Sequence, residues 1–150
     1  MARDDDLHDL TRHPIFAVLE PEALRFIALS AGQRILRSGE VLFSRDERSD
    51  GGYFLRSGCV VLEDGDRAAE EKIIRPPALI GEMALIAPTR RPATAIAREP
   101  SGVLQISRAL FQRALSESPR SARRLQQFLE KRLQGFAQEL NALRETALED

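Results

Sequence analysis

Ile80-Gly81-Glu82-Met83-Ala84-Leu85-Ile86-Ala87-Pro88-Thr89-Arg90-Arg91-Pro92-Ala93-Thr94 joins two segments of strand character and gathers groups suited to a small anion. Gly81 lets the backbone turn tightly and lets a ligand approach the main chain. Residues 82–86 spell one short helix, whose free N–H groups and dipole favour negative charge at its start. Arg91 returns after a short loop with a planar fork of donors that matches a phosphate. Glu82 can accept hydrogen bonds from a sugar hydroxyl. A carboxylate repels a neighbouring phosphate unless an arginine lies between them, and Arg91 is placed to do so. The bland alternative is a structural ion pair between Glu82 and Arg91, with no ligand at all.

Outward from this stretch, residues 33–106 alternate short apolar runs with glycine and charge. Residues 34–37 and 41–43 flank Ser38-Gly39-Glu40, and residues 53–56 and 59–63 flank Ser57-Gly58. Asp64-Gly65-Asp66 is a further turn, after which residues 72–74 can form a strand; residues 94–97 and 103–106 complete the set. Several short strands at this spacing predict an antiparallel sandwich or barrel.

The flanks are helical. In residues 6–31, Leu7, Leu10, Ile15, Phe16, Leu19, Leu24, Ile27 and Leu29 form apolar stripes interrupted by Pro14 and Pro21. Ser107 is suited to cap a short helix to Leu115, and Ser118-Pro119 starts a long one that runs to about Leu148. Along it Leu129, Leu133, Phe136, Leu140, Leu143 and Ala147 alternate spacings of four and three, a heptad seam suited to a partner helix. Packing against its own roll is the alternative for that seam. Arg120, Arg123 and Arg124 read as a solvated basic face.

The chain's 150 residues and 43% apolar content suit a single domain with a core of its own. With 22 basic and 23 acidic residues the formal charge is −1, which gives no bulk attraction to nucleic acid or an anionic membrane. One cysteine, Cys59, excludes an internal disulfide and reads as a small core residue. No apolar run approaches a membrane span, and Asp4-Asp5-Asp6 at the start does not resemble a secretory signal, so a cytoplasmic location is expected. His8 and His13 stand without acidic or cysteine partners at metal spacing, so no metal site is expected. No nucleophile constellation is apparent, and no enzymatic activity is expected.

Gly81-Glu82-Met83-Ala84-Leu85, then Arg91, Ala93 and Thr94, resemble the phosphate-binding cassette of the cyclic-nucleotide-binding domain family. Residues 39–43 resemble that family's first hairpin, residues 53–60 its next strand-glycine-strand element, and His13-Pro14-Ile15-Phe16 with Leu19 its entry helix. The resemblance implies an α+β fold: an antiparallel, jelly-roll-like β-roll at residues 33–106, flanked by N-terminal helices at 6–31 and C-terminal helices at 107–148, all within one domain of residues 1–150. It implies Glu82 on a ribose 2′-hydroxyl, Arg91 on the cyclic phosphate with Gly81, Pro92 and Ala93 beside it, and the N–H groups around Met83 and Ala84 on phosphate oxygens. The long helix would cover the purine.

Departures from the family pattern bear on the base. Pro92 replaces a residue whose hydroxyl favours cGMP in the family, so cAMP is the expected ligand, with cGMP second. Residues 75–78, Arg-Pro-Pro-Ala, replace a glycine turn before the cassette and imply a stiffer pocket entry. Lys131-Arg132-Leu133-Gln134 is similar to a stretch of the long helix in the bacterial catabolite activator, but the two hydroxyl residues that contact adenine there fall on Phe136-Ala137. Phe136 then stacks on the purine or joins a dimer seam, and Arg132 can pair with Glu82. The expectation is a stand-alone sensor that forms a parallel homodimer through its last helix and signals to an unidentified downstream protein. The chain has no residues after that helix for a DNA-binding module, so no nucleic-acid partner is expected. The alternative is a ligand-free domain of the same fold used for protein interaction or dimerisation.

Overall fold

The computed structural model describes residues 7–64 and 71–149, with side chains through residue 145. The turn expected at Gly65-Asp66, the acidic start at Asp4-Asp5-Asp6 and the seam position Ala147 lie outside the described residues or side chains. Residues 7–10 are helical (α1), followed by α2 (Pro14–Ala17) and α3 (Pro21–Ser30), each begun by a proline where no intrahelical N–H is needed. Then come β1 (Gly32–Leu36), β2 (Val41–Phe43), β3 (Gly51–Glu63), β4 (Lys72–Ile74), β5 (Ala78–Ile80), α4 (Met83–Ile86), β6 (Thr94–Ser107), α5 (Arg108–Ser116) and α6 (Pro119–Glu149). Ser107 caps α5, its hydroxyl accepting from Leu110 N at 3.0 Å.

All strand pairings are antiparallel. The pattern is an antiparallel β-roll with a long C-terminal helix. Its spine is the pair β3 and β6. Each runs far enough to serve two partners in succession: β6 takes β2 and then β1, and β3 takes β5 and then β4.

Two local expectations are corrected. Residues 53–56 and 59–63 belong to one continuous strand, and so do residues 94–97 and 103–106. Gly58, at φ 90°, bends β3 through successive register shifts instead of reversing it. Likewise β1 and β2 flank a genuine turn but do not form a hairpin with each other, because both bond to β6. Short gaps between apolar runs cannot distinguish a reversal from a bulge.

The apolar residues form two cores. Leu10, Ile15, Phe16, Ile27, Phe54, Leu104, Ile106 and Phe111 join the helices to one end of the roll. Leu36, Leu55, Val60, Ala95, Ala97 and Val103 fill its interior, with Phe43 and Tyr53 at the edge nearest α4. Cys59 is buried in β3, as expected of a small core residue. Among the described residues no helix is long and apolar enough to cross a membrane.

Candidate ligand site

The segment 81–94 leaves β5, forms α4, and returns into β6 over the opening of the second core. Gly81 has φ 79°, and a Cβ there would lie 2.5 Å from Arg91 Nη1, so both backbone conformation and space demand glycine. α4 closes with Ala84 N donating to Gly81 O, Leu85 N to Glu82 O and Ala87 N to Met83 O, each at 3.1 Å. The Ala84 N–H is therefore engaged within the turn, and of the amides expected to face a ligand Met83 N has no acceptor among the described residues.

Arg91 dominates the site. Only 3% of it is exposed. Its Nη2 donates to Gly51 O at 2.7 Å, its guanidinium lies 4.3 Å from the Phe43 ring centroid and 5.6 Å from that of Tyr53, and those two rings stack at 6.0 Å. An aromatic shelf of this kind attracts a cation without neutralising it. Arg91 Nε is buried and has no hydrogen-bond partner among the described residues, and no carboxylate pairs with the guanidinium there. Burial pulls the Arg91 pKa down from its ordinary value, opposed first by Tyr53 and then by Asp50 and Glu47, with the nearby Arg108 adding to the fall. The backbone is anchored too, with Arg91 N donating to Glu47 O and Asp46 N to Arg91 O, both at 2.8 Å.

Glu82 does not pair with Arg91. Its Oε1 lies 3.1 Å from Arg132 Nη1, so α6 reaches the site through the contact that the sequence allowed. The structural Glu82–Arg91 pair, the bland alternative, is absent among the described residues.

A pocket of about 180 Å³ opens here. Gly81, Glu82, Met83, Ala84, Arg91, Pro92 and Ala93 all line it, joined by Phe43, Leu62, Ile80 and Thr89. The Thr89 hydroxyl is committed to Ser49 Oγ at 3.0 Å. Phe136 does not line the pocket and is 57% exposed. Leu129 packs against the first core, but past it Leu133, Phe136, Leu140 and Leu143 are exposed, so the seam turns away from the roll.

Several contributors carry no signal of their own in the sequence. Phe43 and Tyr53 read as ordinary strand residues until β2 and β3 bring them beneath Arg91. At Gly51 a Cβ would meet the Ile106 carbonyl, and this close passage is what brings the Gly51 carbonyl to Arg91.

The fold and loop define the class first: an antiparallel β-roll whose cassette holds a buried arginine over an open pocket. The cyclic nucleotide-binding domain pattern matches residues 33–118, more than half of the chain, and the chain belongs to that family. It is 27% identical over 110 residues to a cAMP-dependent protein kinase regulatory subunit of Yarrowia lipolytica, covering 73% of this chain and 28% of that protein. The chain thus spans little more than a quarter of that relative's length. Among solved structures, a cyclic nucleotide-binding-like protein from Brucella abortus is 35% identical, with a TM-score of 0.68 over 75% of this chain and 98% of that one. The N-terminal domain of a transcriptional regulator from Streptomyces coelicolor is 28% identical, with a TM-score of 0.78 over 87% of this chain and 94% of that one.

Proposed function

We propose that this chain is a cyclic-nucleotide sensor whose ligand is cAMP and whose output is its last helix. The observation that carries the reading is Arg91, a residue 3% exposed that lines the pocket, with a buried Nε lacking a partner and no carboxylate in ion-pair contact among the described residues. A buried charge with no carboxylate in direct contact is costly, and an anion entering the pocket supplies that contact. Arg91 then binds the cyclic phosphate, with Gly81, Pro92 and Ala93 forming its surroundings and Met83 N as a further donor. Glu82 accepts from the ribose 2′-hydroxyl, since a carboxylate has lone pairs to spare beyond the bond to Arg132.

Preference for cAMP over cGMP is supported by Pro92, which offers neither hydroxyl nor N–H, and by the Thr89 hydroxyl being engaged by Ser49. The name of the Yarrowia relative points the same way. Competition of cAMP and cGMP against a fluorescent cyclic nucleotide tests it; tighter binding of cGMP overturns the preference.

The output follows from Arg132 and the open stripe. Glu82 grips α6, so a ligand at Glu82 acts on that helix directly. Leu133, Phe136, Leu140 and Leu143 are 57–68% exposed and keep the heptad spacing, which suits a second copy of α6. In a parallel pair Glu139 at one flanking position faces Arg144 of the other helix, an attractive pairing that occurs twice by symmetry. In this reading the chain acts in the cytoplasm as a homodimer and passes its state to a downstream protein.

A further inference from the structure

One residue of α5 holds the loop that carries Arg91. The carbonyl of Ala84 in α4 has no helical partner, because the residue four positions on is Pro88, which lacks an N–H. Arg108 takes its place, Nε donating to Ala84 O at 2.9 Å. The same guanidinium donates through Nη2 to Ser49 O at 2.7 Å and lies 3.3 Å from Ser49 Oγ.

Ser49 in turn grips the far side of the loop. Its N–H and hydroxyl both donate to Thr89 O, at 2.9 and 2.8 Å, and Thr89 N returns to Ser49 Oγ at 3.3 Å. Thr89 lies two residues before Arg91, and the segment around Ser49 also supplies Glu47 O and Gly51 O, the acceptors of Arg91 N and Nη2. Arg108 closes the arrangement with its own N–H, which donates to Asp50 O at 2.6 Å.

We infer that Arg108 is a positioning residue for the nucleotide site, an inference that rests on the reading of this pocket given above. Arg108 does not line the pocket. It acts by fixing α4 directly and, through Ser49, the backbone that presents Arg91. Two carbonyls from different segments are served by one planar fork of donors, a geometry that lysine does not reproduce. Since Arg108 is also the first residue of α5, the loop and the helix leading into α6 are tied as one body.

The test is amide hydrogen exchange of the ligand-free chain, compared with Arg108→Gln and Arg108→Lys. The inference predicts that Leu85, Ala87, Thr89 and Arg91 exchange about tenfold faster or more in Arg108→Gln, through loss of charge-assisted bonds. Val60 and Val61, at the β3–β6 spine, keep their parent rates, and Arg108→Lys falls between. Affinity for cAMP, read in parallel, drops about tenfold in Arg108→Gln and recovers partly in Arg108→Lys. If the glutamine variant leaves no folded protein, the lysine variant carries the same comparison. Loop rates equal to the parent's, or rates that rise equally in the loop and the spine, overturn the inference. A parent chain that binds no cyclic nucleotide defeats the ligand reading separately, while the exchange comparison still decides the role of Arg108.

Discussion

Replacing Gly81 with alanine perturbs two terms that the structure allows to be separated. At φ 79° the residue pays the left-handed penalty of about 1–2 kcal/mol for carrying a Cβ. That Cβ also lies 2.5 Å from Arg91 Nη1, so the guanidinium must move. The end of an arginine usually moves cheaply, but here it is buried, bonded to Gly51 O and stacked on Phe43. Displacement forfeits a charge-assisted hydrogen bond of about 1.5–3 kcal/mol. Gly81→Ala is therefore expected to cost ~2.5–5 kcal/mol in urea unfolding at constant m. Gly39 provides the control, with φ 86° and nothing within 4 Å of its added Cβ, so Gly39→Ala costs only the backbone term of ~1–2 kcal/mol. In an Arg91→Ala background the cost of Gly81→Ala falls to that same backbone term. Equal costs at Gly39 and Gly81 in the parent, or no coupling in the cycle, refute the close placement of Gly81 and Arg91.

Two further outcomes follow from other parts of the molecule. Light scattering of the parent gives a dimer, and Leu133→Asp/Leu140→Asp gives a folded monomer, since both positions are exposed on α6 and contribute nothing to either core; a monomeric parent, with or without cAMP, refutes the seam. His13 is held below its ordinary value of 6.5, by burial first and against the pull of Glu82. Its native pKa being depressed, the unfolded chain binds the proton more readily, so its contribution is complete above pH 6.5 and is lost as pH falls through that value toward the lowered native one. His13→Gln should flatten that part of the urea-midpoint profile, and an unchanged slope refutes the assignment.

The candidate loop was legible as one unit because its chemistry is contiguous. Gly81, Glu82 and Arg91 fall within one turn, one short helix and one return, and each residue type has a physical reason to stand where it does. The order of helices, strands and helices was legible from the change in apolar periodicity at about residue 32 and again at Ser107. What supports the loop was not legible. Phe43, Tyr53, Ser49 and Arg108 come from distant parts of the chain, and a strand-facing aromatic or a helix-starting arginine looks the same whether or not it serves a site. Ser57-Gly58 read as a reversal because glycine at positive φ serves a bulge and a hairpin equally. Phe136 was assigned two possible surroundings because helical spacing fixes which residues share a face, not what that face meets; here it faces solvent.

Calorimetric titration of cAMP into the parent chain and into folded Arg91→Ala asks whether the buried guanidinium of Arg91 receives the phosphate of a cyclic nucleotide. The parent is expected to bind saturably at one site per chain. The variant is expected to lose ~2–5 kcal/mol, at least about thirty-fold in affinity, through removal of a desolvated charge-assisted contact. Absence of binding in the parent, or equal affinity in a folded Arg91→Ala, rules out Arg91 as the phosphate ligand.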